Sequence, residues 1–90
     1  MFNIVATMKG YKVLGVRTGT SKAGKTFKSI DVYRDGKTAE ISCSDPELFY
    51  SVDMLGEMDV ANFDVRAVAG KERSYITLVG APVLVQQFGA

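Results

Sequence analysis

The sequence predicts an all-β domain with one short helix, in which three strands, the helix and two further strands follow one another. Three observations favour this order. Short β-rich segments alternate with Gly-containing turns, and a helical spacing of apolar residues occurs once, between residues 46 and 55. A chain of 90 residues has room for a single core. We therefore expect residues 1–90 to form one domain.

The first three strands are joined by short connections, so they are expected to form an antiparallel meander. Gly10 and Gly15 indicate bends or a bulge in the first strand. Asp35-Gly36 is a tight-hairpin signal between the second and the third strand. In the third strand, Cys43 alternates with apolar residues, which predicts a buried thiol. The predicted strands are residues 11–18, which residues 3–8 extend, residues 25–34 and residues 38–44.

The one helix is predicted over residues 46–55. Asp45 can cap its N-terminus, Pro46 suits the first turn, and Glu47 complements the helix dipole there. Gly56 ends the helical pattern. The apolar stripe that faces the core repeats at i, i+4 and i+7 and comprises Leu48, Val52 and Leu55.

Two more strands complete the predicted fold. They cover residues 63–69 and 74–80, and residues 81–87 extend or follow the last of them, with Pro82 marking an edge or a break. Three meandering strands, a helix and two strands resemble the OB-fold, a five-stranded, partly open Greek-key barrel. A long first strand bent by glycines fits the sharp curl of a small barrel. An SH3-like barrel is the alternative.

Residues 19–26, GTSKAGKT, match the P-loop pattern G-x-x-x-x-G-K-[ST] at every fixed position. A working P-loop is followed by a helix, whose N-terminus points at the phosphate. The residues after Thr26 include Phe27, Ile30 and Val32, which favour a strand. We therefore predict a strand-turn-strand hairpin that cradles no nucleotide, and a protein that is not an enzyme.

The composition argues against several classes of site and setting. The chain contains no His and one Cys, so the familiar zinc sites and Cys-His catalytic pairs are not expected, and no metal or cofactor is predicted. No run of 18 apolar residues is present, so no membrane helix is expected. The N-terminal segment does not resemble a signal peptide. A lone thiol fits a reducing, cytoplasmic setting.

Charge is unevenly distributed along the chain, although the net charge is only +1. Residues 9–37 contain eight Lys or Arg and two acids, a balance of +6, whereas residues 38–90 contain three and eight, a balance of −5. This asymmetry favours a polyanion as the partner of the first half. Lysines that keep a solvated edge strand soluble are the alternative explanation.

Nucleic-acid contacts are predicted on one face of the barrel. OB-fold ligands commonly lie across strands 2 and 3, between the loops that join strands 1–2 and 4–5. Here those loops read GTSKAGK and GKERS, and both are basic. The predicted contacts are Tyr11, Arg17, Lys22, Lys25, Phe27, Lys28, Tyr33, Arg34, Lys71, Arg73 and Tyr75.

The aromatic residues among these contacts have a specific predicted role. Strand alternation places Phe27 and Tyr33 outward on the second strand, where they suit base stacking beside Lys and Arg. The alternatives for Phe27 are packing under the loop and a dimer interface, and the alternative for the tyrosines is that they cover sheet edges. Tyr11 and Arg17 are expected to share one face of the first strand, and Tyr75 lies opposite Ile76 in the last one.

The length, the order of elements and the basic hairpin resemble the small single-stranded-DNA-binding proteins of bacteriophages, including the filamentous-phage type. The resemblance is one of pattern over nearly the whole chain. It implies a homodimer that coats single-stranded DNA during phage or plasmid replication; RNA is a further polyanion that the same surface could take. A protein-interaction or assembly module on the same barrel, with the aromatic face as a subunit interface, is the alternative function.

Overall fold

The computed structural model describes residues 4–69 and 74–88 and shows a closed barrel of five strands with one short helical segment. The barrel strands are β1 (Ile4–Thr20), β2 (Thr26–Arg34), β3 (Lys37–Cys43), β4 (Val60–Ala69) and β5 (Ser74–Leu78). Between β3 and β4, a 3₁₀ turn (Pro46–Leu48) leads into α1 (Phe49–Asp53), and β6 (Val83–Gln86) follows the barrel.

The order of strands around the barrel confirms the predicted OB-like architecture. The strands follow the order β1-β2-β3-β5-β4, and β1 also pairs with β4, which closes the sheet on itself. The β3–β5 pairing is parallel and is registered at two positions, Ile41↔Ile76 and Ser42↔Thr77. Residues 83–86 form a separate strand that pairs antiparallel with β4. The segment beyond β5 therefore follows the barrel as an added edge strand.

β1 pairs with both β2 and β4 because it bends. It pairs with β4 from Ile4 to Lys12 and with β2 from Lys12 to Thr20, with a register shift on each side of Lys12. Gly10 has φ +69°, a conformation that glycine adopts without steric cost. Its N–H donates to Asn62 Oδ1 at 2.8 Å, which holds the bend against β4. The predicted glycine bend and bulge are thus both found in this strand.

The core fills the barrel with apolar side chains from all five strands. Phe63 is its largest completely buried side chain, and Val52 of α1 belongs to the same cluster, so the helix covers one end of the barrel. Cys43 is buried as predicted, and burial raises the pKa of its thiol. The buried apolar residues are Val13, Ile30, Val32, Ile41, Cys43, Val52, Ala61, Phe63, Val65 and Leu78.

The helical segment is shorter than predicted and begins as a 3₁₀ turn. Asp45 caps it as expected, because its carboxylate accepts the Glu47 N–H at 3.0 Å. The segment ends at Asp53 rather than at residue 55. The Leu55 N–H bonds to the Val52 carbonyl at 3.1 Å, an i to i+3 contact that tightens the chain into a turn before Gly56.

The segment that matches the P-loop pattern forms the predicted hairpin. β2 begins at Thr26, so a strand and not a helix follows the loop. Two backbone bonds close the loop, from the Ser21 N–H to the Lys25 carbonyl at 2.8 Å and from the Gly24 N–H to the Ser21 carbonyl at 2.9 Å. The segment therefore presents no helix N-terminus to an anion.

Asp59 connects three parts of the chain next to β4. The residue is 3% exposed, and its carboxylate accepts the Gly56 N–H at 2.7 Å and the Phe88 N–H at 2.9 Å. Its carbonyl accepts the Val13 N–H at 2.7 Å, close to the bulge of β1. One residue thus fixes the loop after α1, the middle of β1 and the segment that follows β6.

We expect Asp59→Ala to lower the free energy of unfolding by at least about 2 kcal/mol, because a hydrogen bond to a charged group contributes about 1.5–3 kcal/mol. Urea unfolding measures this loss. Asp64→Ala is the control, since the exposed Asp64 accepts a side-chain bond from Thr7 at 2.7 Å, and it should cost less than about 1 kcal/mol. Equal losses for the two variants would contradict the role assigned to Asp59.

Candidate nucleic-acid interface

A groove of about 660 Å³ crosses the outer face of the barrel at the end where β2 begins. It spans four strands, because the β3–β5 pairing brings the end of β3 next to β5 and β4. Its walls carry two aromatic rings, two cations and several hydroxyl groups. The lining residues are Ser21, Lys25, Thr26, Phe27, Ser42, Ser44, Arg66, Val68, Tyr75 and Thr77.

The Phe27 ring is held on one side of this groove by a glycine. Phe27 is the cross-strand partner of Gly19, and both lie on the outer face. A Cβ atom at Gly19 would lie 2.6 Å from Phe27 Cζ, so the end of the ring occupies the space that any other residue would fill. Phe27 is consequently half-buried while it still lines the groove. The sequence-based placement of this ring on the outer face is confirmed.

Tyr75 contributes the second aromatic ring of the groove. It is exposed and lies on the outer face of β5, opposite the partly buried Ile76, as the sequence predicts. Its cross-strand partner is Val68 of β4, which also lines the groove. Two aromatic side chains on separate strands are an arrangement that allows bases to stack.

The described residues that line the groove include two cations and no carboxylate. Lys25 comes from the β1–β2 loop, and Arg66 projects from the outer face of β4. No Asp or Glu is among the described residues that line the groove, and no described acid forms an ion pair with Arg66. Lys22 is exposed in the same loop as Lys25. The groove therefore has a positive local charge.

Hydroxyl groups form the floor between these cations. Thr77 and Ser42 lie side by side on β5 and β3, and the Thr77 hydroxyl donates to the Ser42 carbonyl at 3.3 Å. Ser21, Thr26 and Ser44 continue the polar lining toward the hairpin. Hydroxyls of this kind can donate to phosphate oxygens and to base edges alike.

Arg17 lies on the outer face beside the groove but is occupied by two carboxylates. Its Nε and Nη2 bond to the two oxygens of Asp31 at 3.1 and 3.0 Å, and Nη2 also bonds to Glu40. Hydrogen bonds to Asp31, and then to Glu40, raise the pKa of this guanidinium. The predicted phosphate contact by Arg17 remains a prediction, and the structure gives this residue two competing partners.

Lys28 lies on the opposite side of its strand from the groove. It is 9% exposed, and its Nζ contacts Asp53 of α1 at 2.9 Å and the Thr18 hydroxyl at 3.1 Å. The ammonium also lies 5.5 Å from the centre of the Phe49 ring. In this position it fastens α1 to the barrel, so we leave it out of the candidate interface.

Three further predicted contacts lie away from the groove. Tyr11 packs against the core, and the Arg34 guanidinium lies 5.7 Å from the centre of its ring. Tyr33 is exposed at the same end of β2 as Arg34, six residues from Phe27, which corresponds to about 20 Å along the strand. None of these three residues lines the groove, although Tyr33 lies on the same outer face of β2 as Phe27.

The prediction that Tyr11 and Arg17 share a face is wrong. Tyr11 pairs with the buried Ala61, whereas Arg17 points outward. The reason is the register shift between Val13 and Gly15, which adds one residue and reverses the alternation beyond it. Lys71 and Arg73, predicted contacts of the second loop, lie outside the described residues.

Sequence reasoning missed Arg66 and the hydroxyl floor of the groove. Arg66 lies between Val65 and Ala67, and this alternation could have placed it on the outer face. Its approach to the hairpin could not be deduced, because it depends on the parallel β3–β5 pairing. That pairing also brings Ser42 next to Thr77.

The described residues contain no group of three or more metal-ligating side chains. No helix in the described ranges has the length and apolarity that crossing a membrane requires. Comparisons of the chain with protein-family models, with curated proteins and with solved structures gave no match. The case for a function therefore depends on the groove itself.

We expect Gly19→Ala to displace the Phe27 ring, because the added methyl group would lie within 3.1 Å of three ring carbons. Aromatic proton chemical shifts of Phe27 measure the displacement. Gly15→Ala is the matched control in the same strand, where a Cβ meets nothing within 4 Å. Unchanged chemical shifts of Phe27 in Gly19→Ala would contradict the observed position of the ring against Gly19.

Proposed function

We propose that the protein binds single-stranded DNA across the outer face of the barrel, with the groove between the β1–β2 hairpin and β4–β5 as the binding site. The observation that supports this most is the content of the groove. Phe27 and Tyr75 offer ring faces, Lys25 and Arg66 offer positive charge, and no described carboxylate lines it. Stacking platforms beside cations are the features of surfaces that bind single strands.

A single strand fits this groove better than a duplex does. Bases in a duplex hide their faces in the stack, so the two rings would have nothing to bind. The groove recognises the backbone through charge and hydroxyl groups, which carry no sequence information. We therefore infer binding with little sequence preference, as coating of replicating phage or plasmid DNA in the cytoplasm requires. RNA offers the same chemistry and is tested as a separate ligand.

We also propose that the protein is a homodimer, and that β6 forms the subunit contact. Among the described strands, β6 pairs with β4 alone, and all four of its residues are exposed. Val83, Leu84 and Val85 are three of these, and Phe88 just beyond them is exposed as well. An open edge strand with apolar side chains is a template for pairing with another strand.

The chemistry of this edge favours a second copy as its partner. Residues 74–90 contain no Lys, Arg, Asp or Glu, so a two-fold contact of the segment with itself brings no like charges together. Tyr50 of α1 and Met54 just after it are exposed beside Leu84, and a groove of about 370 Å³ runs between them. These exposed apolar side chains lie next to the open edge of β6 and extend the surface that a second copy would cover.

A protein-interaction module is the alternative function, and β6 gives it a specific basis. β6 pairs with β4 at Val60, Ala61 and Asn62. Arg66 and Val68 line the groove toward the other end of the same strand. Arg66 lies about 20 Å from Val60 along β4. A subunit contact at β6 therefore leaves the groove open. Both surfaces can be occupied in one assembly.

We expect Phe27→Ala to weaken binding of oligo-dT by about 1–3 kcal/mol, because one stacking platform is lost. Tyr33→Ala is the matched control: it lies on the same strand and face but far from the groove, and it should change affinity little. Fluorescence anisotropy with a labelled oligonucleotide measures both. A Phe27→Ala protein with wild-type affinity and unchanged melting temperature would contradict the stacking role.

The same titration in low and high salt tests the electrostatic part. The logarithm of affinity should fall with the logarithm of salt with a slope of roughly −2 to −4, since each phosphate contact on a single strand contributes about −0.7. A duplex of the same length and an oligo-U strand complete the set. Binding that is independent of salt, or equal for single strand and duplex, would contradict the proposed function.

For the homodimer, we expect Val85→Glu to convert the protein to a monomer, because two-fold pairing would place two carboxylates against each other. Sedimentation velocity over a range of concentrations measures the mass. Val5→Glu is the control, since Val5 of β1 is an equally exposed valine on another surface. A wild-type protein that remains monomeric at every concentration, or a dimer that Val85→Glu leaves intact, would refute β6 as the contact.

A further inference from the structure

The outer face of β2 and β3 is arranged in cross-strand rows that change character with distance from the groove. Phe27 belongs to the row nearest the hairpin, and Ser29 pairs with Ser42 in the next row. In the third row, Asp31 of β2 lies directly opposite Glu40 of β3. The polar and aromatic lining of the groove thus stops at a row of two carboxylates.

Two like charges directly opposite each other destabilise a sheet unless a counter-charge is present. Arg17 supplies that charge, because its guanidinium bonds to both Asp31 and Glu40. The three side chains are all substantially exposed, so solvent weakens the ion pairs and the cluster adds little to stability. Its net charge is −1, in contrast to the positive groove beside it.

We propose that Asp31 and Glu40 form an acidic border that ends the nucleic-acid path on this face, with Arg17 as the counter-charge that makes the border compatible with the sheet. This inference depends on the proposed function of the groove. The border keeps phosphates away from the parts of β2 and β3 that lie beyond it, where Tyr33 pairs with Thr38. The bound nucleic-acid strand is thereby directed around the barrel, over β3, β5 and β4, instead of along β2.

The distances support this direction. Successive outward residues on a strand are about 7 Å apart, so the carboxylate row lies one such step beyond Ser29 and Ser42. That step is shorter than the Debye length of about 8 Å at physiological salt, so a phosphate at the serine row still experiences the border. In the other direction, the groove continues to Arg66 and Tyr75 with no carboxylate among its described lining residues. Asp64, two residues from Arg66 on the same face of β4, lies outside this lining, and its carboxylate accepts the Thr7 hydroxyl at 2.7 Å. Repulsion on one side and cations on the other define one path.

This arrangement also accounts for the position of Tyr33. It belongs to the row beyond the carboxylates, opposite Thr38, and is exposed there. A base could reach its ring only if the backbone crossed the acidic row. The border therefore lies between the two outward aromatic residues of β2. Phe27 lies in the binding groove, and Tyr33 lies beyond the border.

The test is the double substitution Asp31→Asn/Glu40→Gln, which removes both charges and keeps the shapes and hydrogen-bonding oxygens of the side chains. We expect tighter binding of oligo-dT, a salt slope steeper by about 0.7 because Arg17 becomes free for one phosphate, and a longer oligonucleotide needed to saturate affinity. The control is Glu47→Gln/Glu57→Gln, which changes the net charge equally at two exposed acids elsewhere. Thermal melting checks that all variants are folded.

A third variant identifies the source of the extra contact. Adding Arg17→Gln to the double substitution should return the salt slope to the wild-type value. If the double substitution binds no differently from the control, or if the triple variant keeps the steeper slope, the border is refuted while binding itself stands. If the wild-type protein binds no single strand at all, the proposed function fails first.

Discussion

The barrel depends on one strand that pairs along both of its edges. β1 joins β2 with its second half and β4 with its first half, and the two pairings meet at Lys12. A straight strand could not turn through this angle in so small a barrel. Gly10 and the bulge before Gly15 provide the turn, and Asp59 holds the bent region through the Val13 N–H. Without this bend the sheet would stay open and Phe63 would have no enclosed core.

Local sequence signals were sufficient for most of the fold. The alternation around Ile41 predicted β3 and its inward face, and Asp45 predicted the start of the helix. The turn signal at Asp35-Gly36 predicted the hairpin between β2 and β3, where Asp35 adopts a positive φ of 52°. Each of these signals depends on interactions within a few residues, which is why they could be interpreted without knowledge of the fold.

The candidate site was harder to predict because it depends on contacts between distant parts of the chain. The bulge at Leu14 reverses which side chains of β1 point outward, and nothing in the sequence gives its exact position. Lys28 is basic and lies on the predicted strand, yet it is on the side of β2 away from the groove, opposite the buried Cys43, and pairs there with Asp53 of α1. Arg66 joins the site only through the strand order β3-β5-β4. Charge and pattern identified the hairpin that lines the candidate groove, whereas packing decided which of its cations are available.

The parallel pairing of β3 with β5 has a consequence for motion. This pairing is registered at two positions, fewer than any other pairing between the described barrel strands. Separation of β3 from β5 is therefore the local opening of the barrel with the lowest free-energy cost. Ser42 and Thr77 belong to this seam and also line the groove. A molecule held there bridges both sides of the seam, and occupancy must then suppress its opening by mass action. Amide hydrogen exchange at the seam therefore slows as ligand concentration rises, because the ligand-bound barrel opens locally less often.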